Sequence, residues 1–153
     1  MNYILAAIGY EASELSRIAI KSESYWGYDY DFMDKFKVIY EVTEEFIRKN
    51  PTFIIYENDK IVGFYTILIK PEGNSIEYFY IEPQCIGKGY GKKMWDHLAN
   101  YCKAHSIKDF TLVTSPQAKE FYEKMGAIQI GEVESTLKKG RKIPKLKCNL
   151  SDI

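Results

Sequence analysis

Between Tyr80 and Gly91 the chain runs Tyr-Ile-Glu-Pro-Gln-Cys-Ile-Gly-Lys-Gly-Tyr-Gly, placing glycines at 87, 89 and 91. An apolar strand ending at Pro83, a Gly-x-Gly-x-Gly turn and then a helix start make a cradle for a pyrophosphate. Glycine lets the backbone approach a ligand closely, and the first-turn amides of a helix have no intrahelical acceptor. The helix dipole adds positive potential at that end, and Lys88, Lys92 and Lys93 add charge. The plainer alternative is a turn that only connects strand to helix. Two familiar phosphate binders do not fit. A mononucleotide loop needs Ser or Thr after Gly91-Lys92, where Lys93 stands. A dinucleotide fingerprint needs its third glycine one place later and an acidic residue closing the next strand, which here closes in Thr114-Ser115.

Other reactive side chains carry less. Cys85 lies beside the glycine turn, but a nucleophilic thiol needs a base, and His97 and His105 fall on the following helix with nothing to orient them. Both histidines read as solvated helix residues. The three cysteines, 85, 102 and 148, are odd in number and widely spaced. They fit neither a disulfide framework nor a zinc site, and no metal site is expected. Reduced thiols of a cytoplasmic protein are the expectation. Lys138-Lys-Gly-Arg-Lys142 concentrates four positive charges at the tip of a predicted hairpin and reads as a solvated loop.

The elements that must position these groups follow from periodicity. Tyr3–Ile8 reads as a first strand, and Glu11–Ser22 places Leu15, Ile18, Ala19 and Ser22 on one helical face. The aromatic stretch Ser24-Tyr-Trp-Gly-Tyr-Asp-Tyr-Asp31 has no period and reads as a loop or a break between two helices. A short helix is expected over Thr43–Lys49, stopped by Asn50-Pro51. Thr52–Tyr56, Ile61–Ile69 and Ile76–Ile81 read as strands. Gly89–His105 is helical, with Met94, Leu98, Tyr101 and Cys102 on its buried side, and Phe110–Thr114 is a buried strand. Ser115-Pro116 looks like a cap followed by proline at the first position of a last helix, closed by Gly126. Ile128–Ile130 and Ile143–Leu150 complete a mixed α/β sheet.

Composition sets the frame. The chain has 153 residues, enough for one domain over 1–153, with no repeat or linker to divide it. Its 21 Lys+Arg balance 21 Asp+Glu, which argues against holding nucleic acid or anionic lipid by bulk charge. No apolar run approaches the roughly 20 residues of a spanning helix, and no secretory signal is visible, so a cytoplasmic protein is expected.

The run Ile81–Gly91 resembles motif A of the GNAT superfamily, the acyl-CoA-dependent N-acyltransferases. There a hydrophobic strand ends in Val/Ile-x-Pro, and Arg/Gln-x-x-Gly-x-Gly/Ala opens a helix. Ile81-Glu82-Pro83 matches the strand end, Gly89 and Gly91 match the glycines, and Ile86 takes the Arg/Gln place. A frame starting at Gln84, with Gly87 and Gly89, also satisfies the pattern. Ser115-Pro-Gln-Ala-Lys-Glu-Phe-Tyr-Glu-Lys-Met-Gly-Ala127 resembles motif B, commonly Asn-Ala-x-x-Phe-Tyr-x-x-x-Gly-Phe. Gln117 stands for the Asn and Ala127 for the Phe, while Tyr122 and Gly126 keep their places. The resemblance runs from Leu5 to about Leu150. Within the superfamily, Tyr25-Trp-Gly-Tyr28 paired with Gly140-Arg-Lys-Ile-Pro144 resembles a group of small, single-domain bacterial members.

The resemblance implies a GNAT fold, α/β of the α+β kind: a mixed, mostly antiparallel sheet flanked by helices, with a parallel pair splayed at the acyl-CoA site. It implies direct acetyl transfer from acetyl-CoA, as co-substrate, to a primary amine of a small molecule or peptide. A monomer or homodimer is expected. Backbone at Phe79, Tyr80 and Ile81 would bind the acyl end, and Gly87, Lys88, Gly89, Tyr90, Gly91 and Lys92 the phosphates, with Gln117 alongside. Tyr122 matches the family's tyrosine that protonates the departing thiolate. An alkyl ammonium of pKa about 10.4 must lose a proton before it attacks, so a carboxylate base is needed. Glu77 interrupts an apolar strand on the side of Phe79 and Ile81 and is the candidate, with a satisfied buried carboxylate as the alternative and Glu82 as runner-up. Tyr25, Trp26 and Tyr28 follow the first helix, where the acceptor wall is often built; they read equally as an aromatic staple between helices. The rival to an enzyme is a non-catalytic module that binds acyl-CoA or a partner protein, in keeping with the departures at Ile86, Gln117 and Ala127.

Overall fold

Seven strands form among the residues described, 1–150, in a computed structural model, one at the start of the chain and six in its middle and end. The order is β1 (Asn2–Ala6), α1 (Ala12–Ser24), α2 (Tyr30–Ile39), α3 (Glu44–Lys49), β2 (Thr52–Glu57), β3 (Lys60–Lys70) and β4 (Gly73–Ile81). Then follow α4 (Tyr90–Ala104), β5 (Asp109–Val113), α5 (Lys119–Lys124), β6 (Ile128–Glu134) and β7 (Lys142–Asn149). The strands make one sheet in the order β1-β2-β3-β4-β5-β7-β6. β4 and β5 are parallel, connected through α4, and the other neighbours pair antiparallel. This is the mixed, mostly antiparallel sheet with a parallel pair that the motifs imply.

Each face of the sheet has its own core. On one side Met94, Trp95 and Leu98 of α4 and Tyr122 of α5 pack on Tyr65, Phe110 and Leu146. On the other, Leu15 and Ile18 of α1 and Phe36 of α2 pack on Ile54, Phe64 and Tyr78. Burying such side chains is worth about 1.5–3 kcal/mol each, so helices that are marginal alone are held by their apolar stripes. β7 and the residue after it show the same logic: Pro144, Leu146, Cys148 and then Leu150 are buried between exposed or half-buried neighbours, as the alternation predicts.

The parallel pairing is short. It joins Ser75 to Thr111 and Ile76 to Leu112 and goes no further, so from Glu77 onward the edge of β4 has no partner on the β5 side. Register along β3 moves from Thr66–Tyr78 to Ile67–Ile76, which leaves Glu77 as the extra residue of a β-bulge. The bulge changes the strand's phase. Simple alternation puts Glu77 beside Phe79 and Ile81, whereas Ile76 is the residue that shares their core cluster.

Three further departures have local causes. α2 is absent from the sequence expectation, since its aromatic residues mask a helical face of Phe32, Met33 and Phe36; Asp29 caps it by accepting from the Phe32 amide at 2.9 Å. The last helix begins at Lys119, because Ser115–Ala118 closes a turn through Ala118 N–H to the Ser115 carbonyl at 3.2 Å. His97 is half-buried rather than solvated, its Nδ1 lying 2.7 Å from the Tyr65 hydroxyl, and burial lowers its pKa.

Candidate active site

Where β4 and β5 part, a cleft of about 700 Å³ opens between α1, the glycine turn, α5 and the β6–β7 connection. This is within the size range of small-molecule sites. A larger depression of about 840 Å³ lies on the outer side of α1, from Tyr10 to Glu44, but no strand or glycine turn contributes to it.

The glycine turn forms one end of the cleft. Gly87 and Gly89 have φ of +86° and +88°, and Gly89 is the residue before the first turn of α4. A Cβ on either would meet nothing within 4 Å, so these two leave open space where a ligand could approach the backbone. The first helical bond in α4 goes from the Lys93 amide to the Gly89 carbonyl at 3.3 Å, leaving the preceding amides pointing out of the helix end. Gly91 does something different. A Cβ there would lie 3.0 Å from the Phe121 ring, so this glycine lets α5 pack against α4.

The expected phosphate residues divide by whether they line the cleft, which Gly91 does as well as packing on Phe121. Gly87, Gly89, Gly91 and Lys92 line the cleft; Lys92 also pairs with Asp96 at 3.2 Å. Lys88 is exposed on the turn outside the lining. Tyr90 directs its side chain away, donating to Glu57 Oε1 at 2.9 Å, so only its backbone is available to a ligand. An apolar cleft closed at one end by unpaired amides, left-handed glycines and a lysine fits a coenzyme with a pyrophosphate and a narrow arm. The arm would run along the unpaired edge of β4, where Phe79, Tyr80 and Ile81 line the wall.

Beyond the strand ends the cleft is aromatic. Tyr122 is 8% exposed, with ring contacts to Phe79 at 5.8 Å and Trp95 at 6.0 Å. Burial raises its phenol pKa, with the Glu23 carboxylate adding to the rise, so it holds its proton at neutral pH. Glu77 lines the cleft, and burial raises its carboxyl while Lys70 opposes the rise. Glu82 is otherwise engaged. It is buried against α1, with Lys21 Nζ at 2.5 Å and Arg17 at 3.3 Å, which leaves the runner-up without an oxygen facing the cleft. Ser22 Oγ donates to the Ile81 carbonyl at 2.7 Å and fixes α1 to the end of β4.

Of the aromatic trio after α1, Trp26 lines the cleft. Tyr25 is exposed and packs edge-on against Trp26. Tyr28 bridges the mouth: it stacks on Phe32, donates to Gln117 Oε1 at 3.3 Å and accepts from Arg141 at 3.1 Å. Gln117 therefore reaches the cleft but is tied to Tyr28. Nor is the basic hairpin wholly solvated. Leu137 is buried in the α1–α2 core, and Arg141 lies over the rings of Tyr28 and Phe32 at 5.0 and 5.6 Å.

Several cleft residues have no place in the sequence reading, among them Phe36, Tyr40, Glu134, Leu137 and a partly buried carboxylate of α1. Glu23 of α1 lines the cleft, and burial pushes its carboxyl up to about 7, against the lowering effects of Arg141 and the nearby Tyr80 hydroxyl. The available signal was its position four residues after buried Ala19, at the margin of the apolar stripe. Among the described residues no cluster of His, Cys, Asp and Glu is arranged to hold a metal, and no helix is long and apolar enough to cross a membrane.

A family model described as an acetyltransferase (GNAT) domain matches residues 11–143. No curated protein matches the chain in sequence. Among solved structures, the chain is similar to the PaiA N-acetyltransferase of Thermoplasma acidophilum in complex with coenzyme A, with TM-score 0.82 and 14% identity over 97% of this chain and 99% of that one. A GCN5-related N-acetyltransferase from Rhodopseudomonas palustris gives TM-score 0.80 and 17% identity over 97% and 96%. An acetyltransferase of Streptococcus pneumoniae gives 0.77 and 17% over 97% and 99%. At these identities the likeness establishes a fold and leaves the acceptor to the chemistry of the cleft.

Proposed function

The chain belongs to the GNAT acetyltransferase family, and from that premise we propose that it transfers acetyl directly from acetyl-CoA to a primary amine. Acetyltransfer from acetyl-CoA is the family's activity; the amine acceptor and the direct route are our reading. The observation that carries it is the continuity of one cleft, from left-handed glycines at the α4 N-terminus to a buried phenol and two partly buried carboxylates. Acetyl-CoA supplies an activated acyl group on a thiol leaving group.

The chain's own groups do the rest. Backbone amides at the α4 end, with Lys92, hold the pyrophosphate. The unpaired edge of β4 at Phe79–Ile81 offers backbone donors to the acyl oxygen as charge develops on it. Tyr122 holds a proton for the thiolate. A cleft carboxylate, Glu77 of β4 or Glu23 of α1, takes the acceptor's proton; a group whose pKa is raised toward neutrality can both accept and release one.

Acetyl-CoA incubated with a panel of primary amines, followed by thiol release and the mass of the amine product, tests this reading. Thiol release that requires the amine, with an acetylated amine formed, is the expected result. Thiol release equal with and without amine, and no acetylated product, would refute it.

A further inference from the structure

Glu77 and Glu23 both reach the cleft, but their surroundings differ. The charge that acts on Glu77 is Lys70, at the β3–β4 hairpin end of the sheet. Glu23 is faced by Tyr80 from β4, by Tyr122 from α5 and by Arg141 from the β6–β7 connection, and Tyr40 at the end of α2 lies within reach of Tyr80. Both phenols beside the open edge of β4 thus lie in the field of Glu23. Arg141 does not neutralise it by contact. Its guanidinium donates to the Tyr28 hydroxyl and lies on two aromatic rings, and no ion pair involving Glu23 forms among the described residues. The wall at this end is mostly apolar, with Trp26, Phe36, Tyr40 and Leu137; Thr136 is hydrogen-bonded to Tyr40 at 3.0 Å, and exposed Glu134 accepts from the Gly140 amide at 3.0 Å.

We propose that Glu23 receives the acceptor's ammonium group and takes its proton, and that the acceptor is a monoamine carried on an apolar or aromatic body seated against Trp26, Phe36, Tyr40 and Leu137. This rests on the acetyl-transfer reading above. A cation is attracted both to the carboxylate and to aromatic faces, while an apolar body gains from leaving water. Arg141, outside the lining but near enough for its charge to act on Glu23, opposes a second positive charge beside that carboxylate, which disfavours a diamine. The protons balance. The ammonium gives one proton to Glu23, and the nitrogen lone pair forms the C–N bond. As the C–S bond breaks, the departing sulfur takes a proton from Tyr122, and the second proton leaving nitrogen restores the phenol. The products are an amide, a free thiol and one proton released through Glu23.

The test uses the whole protein with 2-phenylethylamine, 1,4-diaminobutane and glycinamide as probes, and the variants Glu23→Gln, Glu23→Asp and Glu77→Gln. The arylalkyl monoamine is expected to show kcat/KM at least about tenfold above the other two, the scale of one good apolar contact. Its kcat/KM should rise with pH through about 7, the carboxyl value that burial sets. Glu23→Gln should lose that limb and about 100-fold in kcat/KM, as for a deleted base; Glu77→Gln should keep the limb, and Glu23→Asp should recover part of the rate.

A second measurement needs no turnover. Burial raises the folded carboxyl above its ordinary 4.5, so the native protein loses stability as pH rises from there through about 7. Glu23→Gln removes that loss, and its Tm relative to the native protein should climb between about pH 5 and 8. A limb that survives in Glu23→Gln and vanishes in Glu77→Gln would overturn the assignment, as would a Tm difference flat in pH. Preference for the diamine, or no transfer to any probe while acetyl-CoA still raises Tm, would overturn the acceptor class alone. Absence of any acetyl-CoA effect on Tm would overturn the acetyl-transfer reading itself.

Discussion

Tyr122→Phe is expected to lower kcat by about 10- to 100-fold at saturating substrates, the lower part of the range for loss of a general acid. The phenol is buried between Phe79, Trp95 and Phe121, and burial together with the Glu23 carboxylate keeps it protonated. Its proton is therefore available to a departing thiolate. The effect stops short of abolition because a thiol of pKa about 8.5 leaves tolerably well unassisted. Ring contacts survive in Phe, so thermal unfolding without ligand should change little while turnover falls. Steady-state kinetics on purified variant and native protein decide the matter. An unchanged kcat would remove Tyr122 from the chemistry and leave it as a core side chain.

Gly89→Val should weaken acetyl-CoA and CoA alike by at least about tenfold, which corresponds to about 1.4 kcal/mol. Two causes act together. Gly89 has φ of +88°, a conformation that costs an L-residue roughly 1–2 kcal/mol, and more for a β-branched one. Its Cβ would also stand in the open space beside the glycine turn, where nothing lies within 4 Å and where the coenzyme would approach the backbone. Calorimetric titration with CoA separates this from loss of fold when run beside unfolding of the ligand-free variant. A dissociation constant equal to that of the native protein would show that the coenzyme does not use this turn.

Gly91 makes the contrast that a motif alone conceals. The glycines at 87, 89 and 91 look equivalent in a Gly-x-Gly-x-Gly pattern. Two have left-handed backbones facing open space, whereas the third has an ordinary φ and a phenyl ring against it. Sequence spacing marks the turn; which glycine serves the ligand and which serves packing depends on α5, whose approach is a tertiary fact.

Much of the scaffold was legible because its causes are local. The strand alternation in β7, the apolar stripe of α4 and the left-handed Gly126 that closes α5 all follow from side-chain period or backbone freedom. What escaped depends on long-range packing. The bulge at Glu77 arises from how β3 and β4 register, and it breaks the alternation by which that residue's side was assigned. Tyr28 and Arg141, distant in sequence, meet only because the β6–β7 connection folds onto α2. Glu23 carries no signal in the sequence beyond its place at the margin of a helix; its role depends on the cleft that the other elements close around it.

The central claim is that the cleft between β4 and β5 binds acetyl-CoA, and thermal unfolding with acetyl-CoA, CoA, ATP and NAD tests it most directly. Ligand at a hundred times its dissociation constant adds about 2.7 kcal/mol to native stability. In a domain of this size that raises Tm by roughly 5–10 °C. The account predicts such a rise with acetyl-CoA and CoA and none of comparable size with ATP or NAD. No rise with millimolar acetyl-CoA, or an equal rise with all four, would contradict it.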